Sequence, residues 1–385
     1  MIAILDALGP IVWTALLVIG GLAIWNLLLF RRAPRALEDA ESVSILIPAR
    51  NEEANIEEAV RAACAQTASR VEVVVLDDGS TDATPRLLAS LRTECPRLRV
   101  VGGQPLPSGW AGKAWACWQL GSEHARHEWL LFADADVRLF PEAAARALAA
   151  ARAQRVDFLS AFPRQLVPTP GEALLAPLMY LLLMAYLPMA LIRSHRLPSL
   201  SAACGQFMLV RRDAYLAADG HRAVAGTLHD GIKLARRMKA AGFLIGIVDG
   251  QDLATCRMYV GFRASWQGFA RNAYEALGSP AALAIMTTLN ATLFVLPFLA
   301  LPVSALWGGA AAATAAWGRA VLAVLALRVL LAWRFRYPWW TALATPVAVL
   351  ALIGIQFESY VRHLTGRPVF WRAREYSGAT PAGKG

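Results

Sequence analysis

Two acidic clusters carry the residue types and spacing for chemistry. In "VVVLDDGSTD" (Val73–Asp82) an apolar, β-branched run stops at Asp77 and Asp78, then continues with Gly79, two hydroxyl residues and Asp82. In "FADADV" (Phe132–Val137), Asp134 and Asp136 follow directly on the apolar "WLLFA" (Trp129–Ala133). Carboxylates two residues apart can be turned toward one point by a tight bend. Such hard oxygen donors suit Mg2+ or Mn2+ that also holds phosphate oxygens, and the cation offsets charge on a diphosphate leaving group. Asp77 and Asp78 suit another task, accepting hydrogen bonds from an imide N–H or ribose hydroxyls. "PARNEE" (Pro48–Glu53) ends an earlier strand and offers a further wall for the same pocket, although its acids also suit a helix N-terminus. Lys113, in "GWAGKAWACW", is one of only four lysines among 38 basic residues. It follows a Gly-rich loop, which suits a phosphate contact, or it snorkels among tryptophans. Asp230 opens the helical "HDGIKLARRMKAAGF", as a cap or as a general base within reach of an attacking hydroxyl.

These residues need a scaffold that brings strand ends together. From Ser42 to about Gly250 the pattern alternates: "VSILIP" (Val43–Pro48), "VEVVVL", "LRVV" and "WLLFA" read as strands, with helical segments between them. In "NEEANIEEAVRAACAQ", Ile56, Ala59, Val60 and Ala63 share one face. "TPRLLASL" has Asp82 or Thr84 as N-cap and Pro85 in its first turn. Strands apolar on both faces and alternating with helices predict an α/β domain, a mostly parallel sheet with helices on both faces. Ligands in such sheets sit at the C-terminal strand ends, where both acidic clusters fall.

Composition adds a membrane. The 385 residues are 57% hydrophobic, with a mean hydropathy of +0.42. Ala7–Phe30 is uncharged and long enough to cross a bilayer, and Arg31, Arg32 and Arg35 follow it. That charge order is the reverse of a secretory signal and predicts an anchor with a cytosolic C-terminal flank. The domain plan is therefore an anchor over 1–35, a cytosolic domain over 42–255, an amphipathic interface helix over 256–280, about three membrane helices over 281–360 and a basic tail over 361–385. Within the second, the apolar 173–192 lies on the cytosolic leaflet or dips into it. One anchor plus three spans leaves the arginines of the tail outside, so one segment is re-entrant or the tail is an exception. The net charge of +10 suits anionic headgroups or a diphosphate ligand. No basic–aromatic module for nucleic acid is visible. Five scattered cysteines without Cys-x-x-Cys spacing point to a reduced compartment and no zinc site.

Taken together, "VSILIPARNEE", "VVVLDDGSTD", "GWAGKAWA", "FADADV", "GQFMLVRRDAY" and "HDGIKLARRMKAAGF" resemble, in order and spacing, family 2 glycosyltransferases with the GT-A fold. The resemblance covers about Ser42–Gly250. With its apolar flanks the chain is similar to membrane-bound members that glycosylate lipids, the hopanoid-associated and carotenoid glycosyltransferases, and more distantly to ceramide glucosyltransferase. The resemblance implies that Pro48, Glu52, Asp77 and Asp78 line the nucleotide pocket and that Lys113 contacts nucleotide or phosphate. It implies that Asp134 and Asp136 hold Mg2+ or Mn2+ and the donor diphosphate, that Asp230 is the base of an inverting transfer, and that Gln206 faces the donor sugar or acceptor. Two departures stand out. His229 replaces the first acid of the family's acidic pair and becomes a candidate acceptor contact. The Gln/Arg-x-x-Arg-Trp motif of processive and ceramide-type members is missing; in its place "FRASWQGFARNAYEAL" (Phe262–Leu277) spaces aromatics as an interfacial helix, with Trp266 and Arg271 as further donor-site candidates. The expected function is hexosyl transfer from a nucleotide-diphosphate sugar, UDP-linked by family habit, to a membrane lipid hydroxyl. The expected setting is the inner membrane of a bacterium, with the catalytic domain cytosolic. The alternatives are a polysaccharide synthase and an inactive nucleotide-sugar-binding scaffold.

Overall fold

Val43–Ala49 (β1) is the strand around which the α/β unit is organised. Val43, Ile45, Leu46 and Ile47 are all buried, so neither sheet face at β1 meets water. Each contributes on the order of 2 kcal/mol by leaving water. The one polar side chain inside β1, Ser44, donates to Glu72 Oε1 at 2.5 Å and accepts from the His127 amide at 3.1 Å. The structure is a computed structural model and describes residues 2–35, 42–68, 70–227, 229–271, 273–365, 369–371 and 374–376.

The strands that follow are Val71–Asp77 (β2), Leu98–Gly102 (β3), Trp129–Ala133 (β4), Val137–Leu139 (β5), Phe158–Gln165 (β6), Phe207–Arg211 (β7) and Ile245–Cys256 (β8). They form one sheet in the order β3-β2-β1-β4-β7-β6-β8-β5. The run β3-β2-β1-β4 is parallel, as expected, and so is β6 with β8. β7 is antiparallel to both β4 and β6, and β5 is antiparallel to β8. The sheet is thus mixed at the half that local patterning resolves least. Helix Ile56–Cys64 buries Ile56, Ala59, Val60 and Ala63, the face that the periodicity predicts. At helix Thr84–Glu94 the N-cap position is Ala83, not Asp82 or Thr84. The Asp82 carboxylate still serves the terminus from one residue further out, accepting from the Thr84 amide at 2.9 Å.

Cysteine usage departs from expectation. Cys64 and Cys95 form a disulfide across 31 residues, while Cys117, Cys204 and Cys256 are buried free thiols. The pair ends two neighbouring helices on the same side of the sheet, a juxtaposition that sequence spacing does not disclose.

A second unit comprises residues 2–29, Val167–Pro188 and Tyr259–Thr365. Three of its helices are long and apolar enough to cross a membrane: Ile2–Leu29, Ala311–Phe335 and Thr345–Thr365. Pro280–Phe294 and Leu296–Leu306 qualify only as a pair and are bent by 45° at their break, as a broken span or a re-entrant loop. The first helix packs along Ala311–Phe335. A Cβ at Gly9 would lie 3.2 Å from Trp317 Nε1, and that indole donates to the Leu5 carbonyl at 3.2 Å. Asp6 accepts from the Ala310 amide at the start of the partner helix, at 3.2 Å.

The stretch 173–192 is not one helix. It is broken into Pro170–Leu175, Pro177–Tyr186 and Ala190–Ser194, with Pro177 and Pro188 at the interruptions. Residues up to Pro188 cluster with the apolar helices and the rest with the α/β unit. Buried Asn26 donates its side-chain amide to the Met184 and Leu187 carbonyls at 2.8 and 2.6 Å. These are carbonyls that a helix C-terminus leaves unpaired. In helix Gly261–Ala270 the buried face is Ser265, Gly268 and Ala270; Phe262 is exposed and Trp266 and Phe269 are half-buried beside it. Most of the basic tail, 361–385, lies outside the described residues.

Titration of the unfolded chain with a thiol reagent, without reductant, should count three reactive cysteines, rising to five after reduction. Five before reduction would remove the Cys64–Cys95 bond.

Candidate active site

Strand register brings the acidic clusters together. Ala49 stands opposite Asp77 and Leu46 opposite Phe132. β7 runs the other way, with Phe207 opposite Ala133. The C-terminal ends of β1, β2 and β4 and the start of β7 therefore share one edge of the sheet. Pro48–Glu53, Asp77–Asp78, Asp134–Asp136 and Gln206 lie along it.

The loops after β1 and β2 are fastened to each other residue by residue. The amides of Asn51, Glu52 and Glu53 donate to Ser80 Oγ, Thr84 Oγ1 and Asp82 Oδ2 at 2.9, 2.8 and 3.0 Å. In return, the Thr81 and Ala83 amides donate to Asn51 Oδ1 and Glu53 Oε2 at 2.8 and 3.0 Å. Arg50 Nη1 donates to the Asp78 and Gly79 carbonyls. This reciprocity needs a reversed backbone, and Asn51 and Gly79 supply it with φ of 51° and 65°. Asn and Gly are the residues that tolerate that region best. So Ser80, Thr81, Asp82 and Glu53 are consumed in building the pocket wall. Asp77 accepts from the Ser80 amide at 3.0 Å. Glu52 and Asp78 are buried within the fastened loops.

Lys113 sits in the first turn of helix Gly112–Gln119. Its ammonium lies 2.7 Å from Asp134 Oδ1 and 3.0 Å from Asp230 Oδ2. Burial opposes the Lys113 charge, but Asp134 and then Asp230 hold its pKa well above the ordinary lysine value. Burial likewise opposes charge on Asp230. Lys113, with His221 next, overrides it and keeps that carboxyl below its usual range. Asp230 begins helix Asp230–Ala240, whose N-cap is His229. Two glycines let this helix start where it does. A Cβ at Gly205 would be 2.7 Å from Asp230 Oδ1, and one at Gly231 would be 2.6 Å from the Gly205 amide.

Asp136 forms no ion pair among the described residues, and the pull of Lys113 on it is outweighed. Burial, then Asp134, then Glu52, push its carboxyl up to about 7. Its Oδ1 is buried without a hydrogen-bond partner. A set of hard carboxylate oxygens with one orphaned acceptor and a deficit of positive charge fits a divalent cation of the Mg2+ or Mn2+ kind.

The remaining candidates separate. Gln206 points inward: its Oε1 accepts from Gln165 Nε2 at 2.8 Å and its Nε2 lies 3.0 Å from Cys256 Sγ. Trp266 and Arg271 belong to the unit of apolar helices and have partners there. Trp266 Nε1 donates to Glu358 Oε2 at 2.5 Å, and the Arg271 guanidinium lies 5.9 Å from the Tyr259 ring centroid. Sequence reasoning passed over Arg50, Gly205, Tyr215 and His221. Only the glycine has a local signal, its place beside Gln206 before an apolar run.

Residues 44–217 match the family model described as Glycosyl transferase family 2. That stretch, most of the α/β unit, thus makes up a glycosyltransferase family 2 domain. Among curated relatives, the 4,4'-diaponeurosporenoate glycosyltransferase of Staphylococcus haemolyticus (strain JCSC1435) is 28% identical over 265 residues, 67% of this chain and 68% of that protein. The protein of the same name from Staphylococcus aureus (strain USA300) is 26% identical over 241 residues, 62% of each chain. The chain thus spans about two thirds of the length of these relatives. In fold it is similar to the mannosyltransferase PcManGT from Pyrobaculum calidifontis, solved in complex with GDP-Man and Mn2+. The TM-score is 0.55 at 18% identity, over 94% of this chain and 99% of that one.

Two variants test this geometry. Gly205→Ala should force Asp230 from its place and lower turnover at least tenfold while the protein still folds, measured as transfer rate beside a thermal melt. In Asp136 the folded pKa lies above the ordinary 3.8, so folding binds a proton that the unfolded chain releases. Metal-free protein therefore loses stability as pH rises from about 4 to about 7. Asp136→Asn should match wild type at pH 4 in EDTA and exceed it by about 4 kcal/mol at pH 8, at about 1.36 kcal/mol per pH unit between 3.8 and about 7. Equal melting curves at pH 8 would contradict the assignment.

Proposed function

We propose that the chain moves a hexose from a nucleotide-diphosphate sugar, UDP-linked, to the hydroxyl of a membrane lipid of isoprenoid, carotenoid, hopanoid, sphingolipid or glycerolipid type, with inversion at the anomeric carbon. The observation that carries this reading is the single ammonium of Lys113 held between Asp134 and Asp230. It sets the diphosphate-binding edge and a prospective base on either side of one small space. Pro48, Glu52, Asp77 and Asp78 form the nucleotide side. Asp134 and Asp136 are the residues to hold a divalent cation. When bound, that ion offsets charge developing on the diphosphate. Lys113 is drawn toward the phosphates. Asp230, freed of its ion pair, takes the acceptor proton as the hydroxyl attacks. The new carbon–oxygen bond forms as the anomeric bond to phosphate breaks, and the electron pair leaves with the diphosphate.

The lipid acceptor is supported by the apolar helices and by the carotenoid name of the relatives. Arg31, Arg32 and Arg35 support a cytosolic catalytic unit at a bacterial inner membrane. Three crossings, with the bent pair re-entrant, bring the basic tail to the same side, which satisfies the rule that places the anchor.

The name of the relatives favours a second reading of the acceptor. An acid ending in -oate presents a carboxylate, which carries no proton at neutral pH. There Asp230 orients rather than deprotonates, and the product is a sugar ester. The test is transfer of label from radioactive nucleotide sugars into extractable lipid, in membranes carrying wild type or Asp230→Asn, with and without EDTA. The proposal expects lipid label that EDTA abolishes, that falls at least a hundredfold in the variant, and that survives hydroxylamine. Label released by hydroxylamine establishes the ester reading. Polymer in place of lipid product overturns both in favour of a polysaccharide synthase, and donor binding with no product at all favours a scaffold.

A further inference from the structure

Behind Asp230 lies a group that the mechanism above does not use. His221 is fully buried. Its Nδ1 is 2.9 Å from the Tyr215 hydroxyl, which also accepts from the His221 amide at 3.2 Å. The ring of Phe132 stands edge-on with centroids 5.0 Å apart. Tyr215 is itself clamped: a Cβ at Gly220 or Gly121 would lie 2.3 or 2.7 Å from its ring. The imidazole therefore has one orientation. Its other nitrogen, Nε2, is buried and has no hydrogen-bond partner. Orphaned buried nitrogens are rare and costly. A ring nitrogen of His221, Cys117 Sγ and a carboxylate oxygen of Asp230 lie within 4.8 Å of one another, and with Nδ1 engaged by Tyr215 it is Nε2 that is left for these neighbours.

A thiol, an imidazole and a carboxylate at that separation have the make-up of a metal site. Charge argues otherwise. The Lys113 ammonium, 3.0 Å from Asp230 Oδ2, already supplies the positive charge. Burial leaves the Cys117 thiol well above its ordinary pKa and so protonated, against the opposing pull of the Lys113 ammonium. Burial also pushes His221 down to about 4, so the ring is neutral. The Tyr215 hydroxyl has two acceptors in reach, Nδ1 at 2.9 Å and the Cys117 carbonyl at 3.4 Å. Donation to the nearer one places the ring proton on Nε2, the tautomer that avoids aiming a lone pair at the Asp230 carboxylate.

We infer that His221 is a positioning residue for Asp230, its Nε2–H standing ready to bond the carboxylate oxygen that Lys113 vacates when the donor diphosphate draws the ammonium away. This rests on the reading of Asp230 as the general base. Without a replacement donor, a released carboxylate can turn away or keep Lys113 from the phosphates. Oδ1 already accepts from the Gly231 amide at 2.9 Å. With a donor on the released Oδ2 as well, the carboxylate plane is fixed, and the second lone pair of Oδ2 is left for the acceptor proton. Tyr215 acts one step further back by holding the tautomer.

The test uses the full-length protein in detergent and measures donor binding and single-turnover transfer separately, for wild type, Asp230→Asn, His221→Leu, His221→Gln and Tyr215→Phe. His221→Leu should lose about thirtyfold in transfer rate with donor affinity within about twofold. His221→Gln, which keeps an N–H donor at similar reach, should recover to within about fivefold of wild type, and Tyr215→Phe should fall between. A purely structural role predicts that Leu and Gln suffer alike or that binding falls together with rate; either result overturns the inference, as does full transfer in His221→Leu. If His221→Leu does not fold, unchanged rates in Tyr215→Phe overturn it instead. Inactive Asp230→Asn beside fully active His221→Leu removes only this inference, whereas an active Asp230→Asn removes the base and the inference with it.

Discussion

Like charge is what this site must manage. Glu52, Asp77, Asp78, Asp134, Asp136 and Asp230 converge on one edge of a sheet, and carboxylates brought close raise one another's pKa. A single ammonium answers part of the problem. Lys113 pairs with Asp134 and Asp230 together, whereas Asp136, with which it forms no ion pair and which it affects less than burial, Asp134 and Glu52 do, is raised to about 7. The rest follows from where that lysine must stand. It needs the first turn of a helix behind a Gly-rich loop, a glycine at 205 so that Asp230 can approach, and a strand that delivers Asp134 at the right height.

The pocket wall answers a different demand, which is rigidity without a ligand. The two loops beside the nucleotide positions spend their polar groups on each other. A surface preorganised in this way gives up little conformational freedom when it binds, so more of the contact energy appears as affinity. The mobile members are then few. In the proposed reaction Lys113 and Asp230 are the groups whose partners change during a turnover, with buried His221 beside them.

Legibility in the sequence divides along the range of the interactions. β1, β2 and β4, the helix with Ile56 and Val60 inward, and the acids at the strand ends are written locally, as apolar runs that stop at charge. The insertion of β7 between β4 and β6 is not, because its partners lie some 50 to 80 residues away. Nor is the Cys64–Cys95 bond, nor the approach of His221 to Asp230, which requires a helix start, a 3-10 turn and Tyr215 to meet. The breaks around 173–192 were marked by Pro177 and Pro188, but uniform hydrophobicity masked them. Gln206 shows a further limit: its position before β7 was plain, while the inward turn of its amide depends on Gln165 and Cys256, both remote in sequence.

The amide of Asn26 gives the first helix a meaning beyond attachment. A tether could be exchanged for any other apolar segment of equal length. This helix instead completes the hydrogen bonding of two carbonyls at Met184 and Leu187, and its Gly9 admits the indole of Trp317. It is a structural member of the fold that happens to be greasy. Its replacement by a generic leader, or its removal to obtain a water-soluble enzyme, strands polar backbone in an apolar interior.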